Sequence, residues 1–219
     1  MKVVAIIPVK MHNQRCPDKN TKPLHDGTPL MHLIQKTCKA TPEINETYVY
    51  CSDESVTGFL LPDVYFLKRP AYLDADEAHG NDIIAEFIKE VDADIYVYAH
   101  TTAPFVKSAS LSLCINKIAW GEHDSSFLAS RIRAFMWQNN IPLNFDPKNL
   151  PRTQDLPPIF AETSGAYVFK KTTFSEIGRR IGSRPFICEV SGIEALDIDY
   201  PEDFEMADMI YKEKLGGWQ

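Results

Sequence analysis

Lys2-Val3-Val4-Ala5-Ile6-Ile7-Pro8-Val9-Lys10 opens the chain, and its reading sets the class of the fold. Every position between the two lysines is apolar, with Val and Ile dominating. That is the pattern of a strand buried on both faces, as in the middle of a parallel sheet. Pro8 and Lys10 cut the run off, so it is too short for the apolar segment of a signal peptide. Residues 10–28 follow with Pro17, Asn20, Pro23, Asp26 and Gly27 and almost no apolar periodicity. They read as a long loop, and loops of that length are usually functional or disordered. Thr28-Pro29 reads as a cap with proline at the first helical position, opening a helix to about Lys39.

The same alternation continues outward. Thr47 to Cys51, Val64 to Leu67 and Asp94 to Ala99 read as strands. Gly80 to Val91 carries Ile83, Ile84, Phe87, Ile88 and Val91 at helical spacing, and Ser108 to Trp120 reads as a further helix. A series of βαβ units predicts an α/β fold with a doubly wound, mostly parallel sheet. After Ser125 the rhythm changes. Residues 127–138 read as a strand pair and 139–162 as a loop rich in Pro and Asn, together an excursion from the main sheet. Tyr167 to Phe169 returns as a strand, Leu196 to Asp199 as a short strand end, and Pro201-Glu202-Asp203 opens the last helix. We read residues 1–219 as a single domain with the excursion at about 127–162.

Composition narrows the function. The chain has 219 residues, 44% hydrophobic and 24% charged, enough for one α/β core and unlike a disordered or fibrous protein. A net charge of −7 argues against general nucleic-acid binding. Cys16, Cys38, Cys51, Cys114 and Cys188 are scattered, with no CxxC pair, which argues against a disulfide framework or a thiolate zinc site. No stretch approaches the roughly 20 apolar residues of a membrane span. The expectation is a cytoplasmic protein without membrane or nucleic-acid partners.

In doubly wound sheets ligands bind beyond the carboxyl ends of the strands. Those ends carry Lys10, Asp53, Arg69 and His100. The loop from Lys10 to Lys22 holds Lys10, Arg15, Lys19 and Lys22, the kind of cation set that a phosphate site needs. It has no glycine and no Walker A pattern, so a solvated basic loop is the competing reading. Asp197-Ile198-Asp199 places two carboxylates on one face if it is extended. Two hard oxygen ligands suit Mg²⁺ shared with a substrate phosphate; an exposed strand end with Asp199 as helix cap is the alternative. Arg152 and Gln154 in Pro151-Arg152-Thr153-Gln154 read as turn residues of a polar arm. Arg69 could hold a carboxylate in two-pronged fashion or be a surface charge. His100 could be a structural hydrogen bonder. No zinc spacing, Ser-His-Asp signature or GxSxG elbow occurs.

Taken in order, these segments resemble the acylneuraminate cytidylyltransferase family, the CMP-sialic acid synthetases. The resemblance rests on Ile7-Pro8-Val9-Lys10, the loop Met11 to Arg15, Lys19-Asn20 before Pro23-Leu24, and Cys51-Ser52-Asp53. It continues in Arg69-Pro70 with Leu73-Asp74-Ala75-Asp76, His100-Thr101-Thr102-Ala103-Pro104, Pro151-Arg152 with Leu156-Pro157, Ser164-Gly165-Ala166, and Asp197-Ile198-Asp199 with Glu202-Asp203. It covers nearly the whole chain and implies a Rossmann-like nucleotidyltransferase fold. By the same resemblance Lys10, Lys19, Asp197 and Asp199 are catalytic. Pro8, Val9, Lys10, His12, Asn13, Gln14, Arg15, Lys19, Asn20 and Arg69 bind the nucleotide. Asp53, His100, Thr102, Arg152, Gln154 and Gly165 bind the acceptor, and Asp197 and Asp199 hold Mg²⁺ (or Mn²⁺). The implied partners are CTP and a nine-carbon 2-keto sugar acid, whose anomeric hydroxyl attacks the α-phosphate and releases pyrophosphate. The arm carrying Arg152 implies a homodimer.

Departures from the family pattern fall both in the nucleotide loop and on the acceptor side. Lys10 stands for an arginine and Gln14 for a loop lysine. His100-Thr101 stands for Gln-Pro, and the arginine before Asn-Gly-Ala falls near Glu162. The acceptor expected is therefore a modified nonulosonic acid of legionaminic, pseudaminic or Kdn-like type. A nucleotidyltransferase for another acceptor (Kdo, a polyol phosphate or a phosphonate) is the alternative. So is a non-catalytic homologue, kept open by Gln14 and opposed by the paired aspartates.

Overall fold

The structure, a computed structural model, describes residues 1–190 and 192–213. The apolar opening run forms β1 (Val3–Pro8), whose interior positions are fully buried. It pairs in parallel with β2 (Glu46–Cys51) on one side and β4 (Ile95–Ala99) on the other, and β3 (Val64–Lys68) adds to β2. The helices α1 (Met31–Ala40), α2 (Gly80–Glu90) and α3 (Ser108–Ala119) are the crossovers.

The second half departs from a plain βαβ series. β5 (Ser125–Ile132) runs parallel to its outer neighbour β9 (Pro185–Glu189). β8 (Ile159–Lys170) lies between β4 and β5, antiparallel to both. The sheet has seven strands in the order β3-β2-β1-β4-β8-β5-β9, and β8 alone runs against the rest. The reversal follows from the connection. β5 and β8 pair out to Ile132 opposite Ile159, so residues 133–158 turn back as an arm rather than crossing over. Within the arm, β6 (Trp137–Gln138) and β7 (Ile141–Pro142) form a hairpin whose turn, Asn139-Asn140, has positive φ at both residues. Asparagine tolerates that conformation, and the twist of such a turn suits a two-residue hairpin. The short α4 (Lys171–Ile177) follows β8, and α5 (Pro201–Glu213) is the last helix among the described residues.

Side chains on one face of the sheet pack with Met31, Ile34, Leu111, Cys114 and Ile118 of α1 and α3. The other face packs with Ile84 and Phe87 of α2 and Phe174 of α4. A third cluster joins Cys16, Leu24 and Leu30 to Phe105, Ile198, Phe204 and Ala207. The first loop therefore has its own small core against α5.

Several boundaries differ from the sequence reading. Helix α1 begins at Met31 without a side-chain cap; Thr28 bonds Asp26 instead, 3.1 Å between hydroxyl and carboxylate. The N–H groups at its start go to carbonyls of the first loop, Leu30 to Lys22 (3.1 Å) and Met31 to Asn20 (2.9 Å). Residues 127–138 are one long strand and the first hairpin strand. The strand read at Tyr167–Phe169 is twelve residues long, because a bulge interrupts its alternation between Phe127 and Ala129 of β5. Leu196–Asp199 forms no strand; Ile198 N–H donates to Thr102 O at 2.8 Å. The five cysteines are buried and free. No helix among the described residues is long and apolar enough to cross a membrane.

Candidate active site

β1 and β4 end beside one another, and the chain leaving each is tied to the other through Asn20. Its amide donates to Lys10 O (2.8 Å), its Oδ1 accepts from the Thr101 hydroxyl (2.5 Å), and its carbonyl accepts from Met31 N–H. Asn13 also donates to Lys10 O, at 2.8 Å. Val9 N–H is held by Tyr50 O at 3.0 Å, which fixes Pro8 and Val9 at the strand end. Asn20 is thus a buried tie that shapes the loop, with its side-chain amide and its carbonyl all engaged.

The cations of the loop separate into two sets. Lys10 Nζ donates to Asp74 O at 2.5 Å and lies 3.6 Å from Asp76, and Gln14 reaches the same Asp76 at 3.4 Å. Arg15 pairs with Asp199 at 3.0 Å, and Lys19 Nζ lies 4.0 Å from Asp199 while donating to Ile198 O at 2.6 Å. Lys22 joins neither set; its ammonium sits 4.3 Å over the Phe204 ring. Lys19 is only 9% exposed. Burial pushes its ammonium below the usual lysine range, against the pull of Asp199 and Asp197.

The acidic pair faces these cations because Ile198 between them is anchored. Ile198 is fully buried in the third cluster, so its neighbours project away from that core. Asp203 accepts from the N–H groups of Asp199 (3.0 Å) and Tyr200 (2.8 Å), reaching back over the start of α5. The reach-back leaves the Asp199 carboxylate free of capping, so the cap alternative does not describe it. Burial lifts the Asp197 carboxyl above the usual range, with the Thr102 hydroxyl bond opposing and the charge of Asp199 adding. Asp197 Oδ1 is buried without a partner. An unpartnered carboxylate oxygen beside a second carboxylate is a donor set that fits a hard divalent cation completed by phosphate oxygens. No group of three metal-ligating side chains occurs among the described residues, so such an ion would depend on the substrate for further ligands.

On the other side, Arg69 is 3% exposed and pairs with Asp74, which also accepts from the Ser52 hydroxyl at 2.5 Å. Asp74 thereby joins the ends of β1, β2 and β3. Sequence reasoning quoted it only as part of a motif, since nothing in the sequence distinguishes it from Asp76. Asp53 caps the short helical turn Glu54–Phe59 through Ser55 N–H (2.9 Å), and the bonds from Ser55, with His12 adding, hold its carboxyl below the usual range. His100 N–H donates to Gly165 O at 3.0 Å. Gly165 follows Ser164, whose φ is +56°, in the bulge of β8. A Cβ on Gly165 would come within 3.0 Å of Val106 Cγ2 and 3.2 Å of Ala103 Cβ, which accounts for glycine there. Arg152 and Gln154 lie exposed on the arm; Arg152 pairs with Asp155 at 2.7 Å and is not gathered with the strand-end groups.

The strand order, with loop and acidic pair meeting at the carboxyl edge of the sheet, is that of a nucleotidyltransferase fold. The chain belongs to the cytidylyltransferase family, whose profile matches residues 4–215. It is 24% identical over 216 residues to N-acylneuraminate cytidylyltransferase A of Danio rerio, covering 94% of this chain and 50% of that protein. It is 26% identical over 133 residues to 3-deoxy-manno-octulosonate cytidylyltransferase of Geotalea daltonii, covering 61% of this chain and 50% of that protein. The chain spans about half the length of these curated relatives. In three dimensions it is similar to CMP:2-keto-3-deoxy-manno-octonic acid synthetase solved with CTP. The TM-score is 0.72 at 16% identity, over 98% of this chain and all of that one.

Proposed function

We propose that this chain transfers CMP from CTP to the anomeric hydroxyl of a nonulosonic, sialic-acid-like sugar acid. The observation that carries the reading is the meeting of the first loop with the acidic pair: Lys19 and Arg15 lie beside Asp199, next to the unpartnered oxygen of Asp197. The acceptor oxygen forms a bond to the α-phosphorus of CTP, and the bond from that phosphorus to the bridging oxygen breaks. Pyrophosphate leaves with the electron pair, and the hydroxyl proton passes to solvent. Mg²⁺ held by Asp197 and Asp199 would neutralise phosphate charge and lower the barrier to losing that proton. Lys19 and Arg15 neutralise the charge that builds on the leaving group, and the bonded strand ends hold both reactants in line. Lys10 and Gln14, turned toward Asp76, shape the nucleotide side of the loop.

The arm supports a homodimer. Trp137, Ile141, Leu143 and Leu150 are more than half exposed on it, too much apolar surface in one small element to face water alone. A cytoplasmic setting accords with five free thiols. The likeness to both N-acylneuraminate and 3-deoxy-manno-octulosonate cytidylyltransferases favours one second reading, the same transfer to the shorter acid.

The test is pyrophosphate release from purified protein with Mg²⁺, CTP and, in turn, N-acetylneuraminate, legionaminate, pseudaminate and 3-deoxy-manno-octulosonate. Turnover with a nine-carbon acid is the expected result. Turnover with the eight-carbon acid alone selects the second reading, preference for UTP or GTP refutes cytidylyl transfer, and CTP binding without turnover marks a non-catalytic homologue.

A further inference from the structure

Arg180 lies in the turn between α4 and β9, and no motif in the sequence pointed to it. Its guanidinium carbon sits 4.0 Å over the Tyr167 ring, and the Tyr167 hydroxyl is fixed by Glu162 at 2.8 Å. Its Nη1 is packed against Gly80, the first residue of α2. A Cβ there would lie 2.8 Å from Nη1 and 3.6 Å from the Tyr98 hydroxyl. The Arg180 main-chain N–H donates to Asn81 Oδ1 at 3.3 Å, which joins the turn to the same helix start. Arg15, Arg69 and Arg152 each have a carboxylate partner. No described carboxylate lies in ion-pair range of Arg180, and its Nε is buried without any hydrogen-bond partner.

Two more buried nitrogens nearby have no partner: His100 Nε2 and Arg69 Nε. The His100 ring stands edge-on to Tyr98 at 4.8 Å and lies 6.3 Å from Tyr167, so it borders the Arg180 contacts. Both Arg180 and Arg69 act electrostatically on the buried Tyr98 hydroxyl. His100 responds to Arg180 and also to Lys19 of the transfer site. Arg180 and His100 thus adjoin Tyr98, on which Arg69 also acts electrostatically. A partly buried cation with no carboxylate in ion-pair range, beside buried donors without partners, is costly unless a ligand completes it.

We propose that Arg180 binds the carboxylate of the acceptor through the Nε side of its fork, with His100 Nε2–H as a second donor. The inference rests on the transfer chemistry proposed above and deepens it by assigning the group that recognises the acid. The charge balance favours carboxylate over phosphate. Arg69 is neutralised by Asp74, and burial with the nearby cations lowers the His100 pKa to about 4, so the ring is neutral. Glu162 on the Tyr167 hydroxyl offsets part of the Arg180 charge, so the cluster carries at most one positive charge, which suits a monoanion better than a dianion. The flat fork of arginine also fits the two oxygens of a carboxylate.

The test uses the full chain with Arg180→Gln and Arg180→Lys. Titration calorimetry in the presence of Mg²⁺ first measures CTP, then each sugar acid named above, and glycerol 3-phosphate as a phosphate-bearing probe. Loss of a charge-assisted bond predicts weakening of the bound sugar acid by about 10- to 100-fold in Arg180→Gln, less in Arg180→Lys, with CTP affinity within about twofold. Unchanged sugar-acid affinity, or an equal loss for CTP, overturns the proposal. If glycerol 3-phosphate alone depends on Arg180, the site is for phosphate and the carboxylate assignment is wrong. If CTP binds normally and the wild type binds no sugar acid, the acceptor reading itself fails and takes this assignment with it. That outcome is distinct from a sugar acid that binds both proteins equally.

Discussion

Lys19 Nζ donates to Ile198 O at 2.6 Å, and this one bond sets the cation of the first loop against the segment between the two aspartates. Lys19 is held there at a cost, since burial works against its charge. A side chain kept charged under those conditions stabilises something negative. Lys19→Gln keeps a donor for Ile198 O and removes the charge. We expect roughly 100-fold lower kcat for pyrophosphate release with an unaltered melting profile. Unchanged kcat in steady-state kinetics would make Lys19 a purely structural clamp.

Asn20 ties the ends of β1 and β4 through Lys10 O and the Thr101 hydroxyl. Asn20→Ala leaves both groups without that partner in a buried place. The expected loss of stability is about 2 kcal/mol by denaturant unfolding, with a raised KM for CTP because the loop is no longer held. A variant as stable as the wild type would contradict the tie.

His100 has a pKa lowered to about 4 from an ordinary 6.5, through burial first and the charges of Arg180 and Lys19 second. Between those two values the unfolded chain takes up a proton at this position and the folded chain does not. The stability His100 contributes is therefore complete above pH 6.5 and declines as pH falls toward about 4. Denaturation midpoints measured across that window should fall more steeply with acid for the wild type than for His100→Gln. Parallel curves would show that the ring is not shielded from protons.

Gly165 has no room for a side chain between Val106 and Ala103. Gly165→Ala should destabilise by about 1–3 kcal/mol and, by pushing the bulge against His100, raise KM for the acceptor more than for CTP. Crystallography or kinetics showing no change at His100 would count against the bulge as an organiser of the acceptor side.

The first half of this fold is readable because each element satisfies a local rule. Val3–Val9 is apolar throughout, and Gly80–Val91 repeats at helical spacing. The second half is not, because β8 is set by its partners. Its bulge at Ser164-Gly165 breaks the alternation, and its direction follows from an arm whose turn is only two asparagines. The start of α1 departs from the sequence expectation because its first N–H groups are met by loop carbonyls, which no residue type advertises. Lys19 and Asp199 could be paired in advance by resemblance alone. Asp74 and Arg180 could not, because their roles come from neighbours distant in sequence: Ser52 and Arg69 for one, Gly80, Tyr98 and Tyr167 for the other.

The central claim is that Asp199, freed from capping by Asp203, works with Asp197 in CTP-dependent transfer to a sugar acid. The most direct measurement is the rate of pyrophosphate release for wild type and Asp199→Asn at saturating CTP, Mg²⁺ and acceptor. The substitution keeps size and the N–H bonds to Asp203 and removes one negative charge. The account predicts a fall in kcat on the order of 100-fold or more, with the fold intact. Activity within a few-fold of wild type would contradict it.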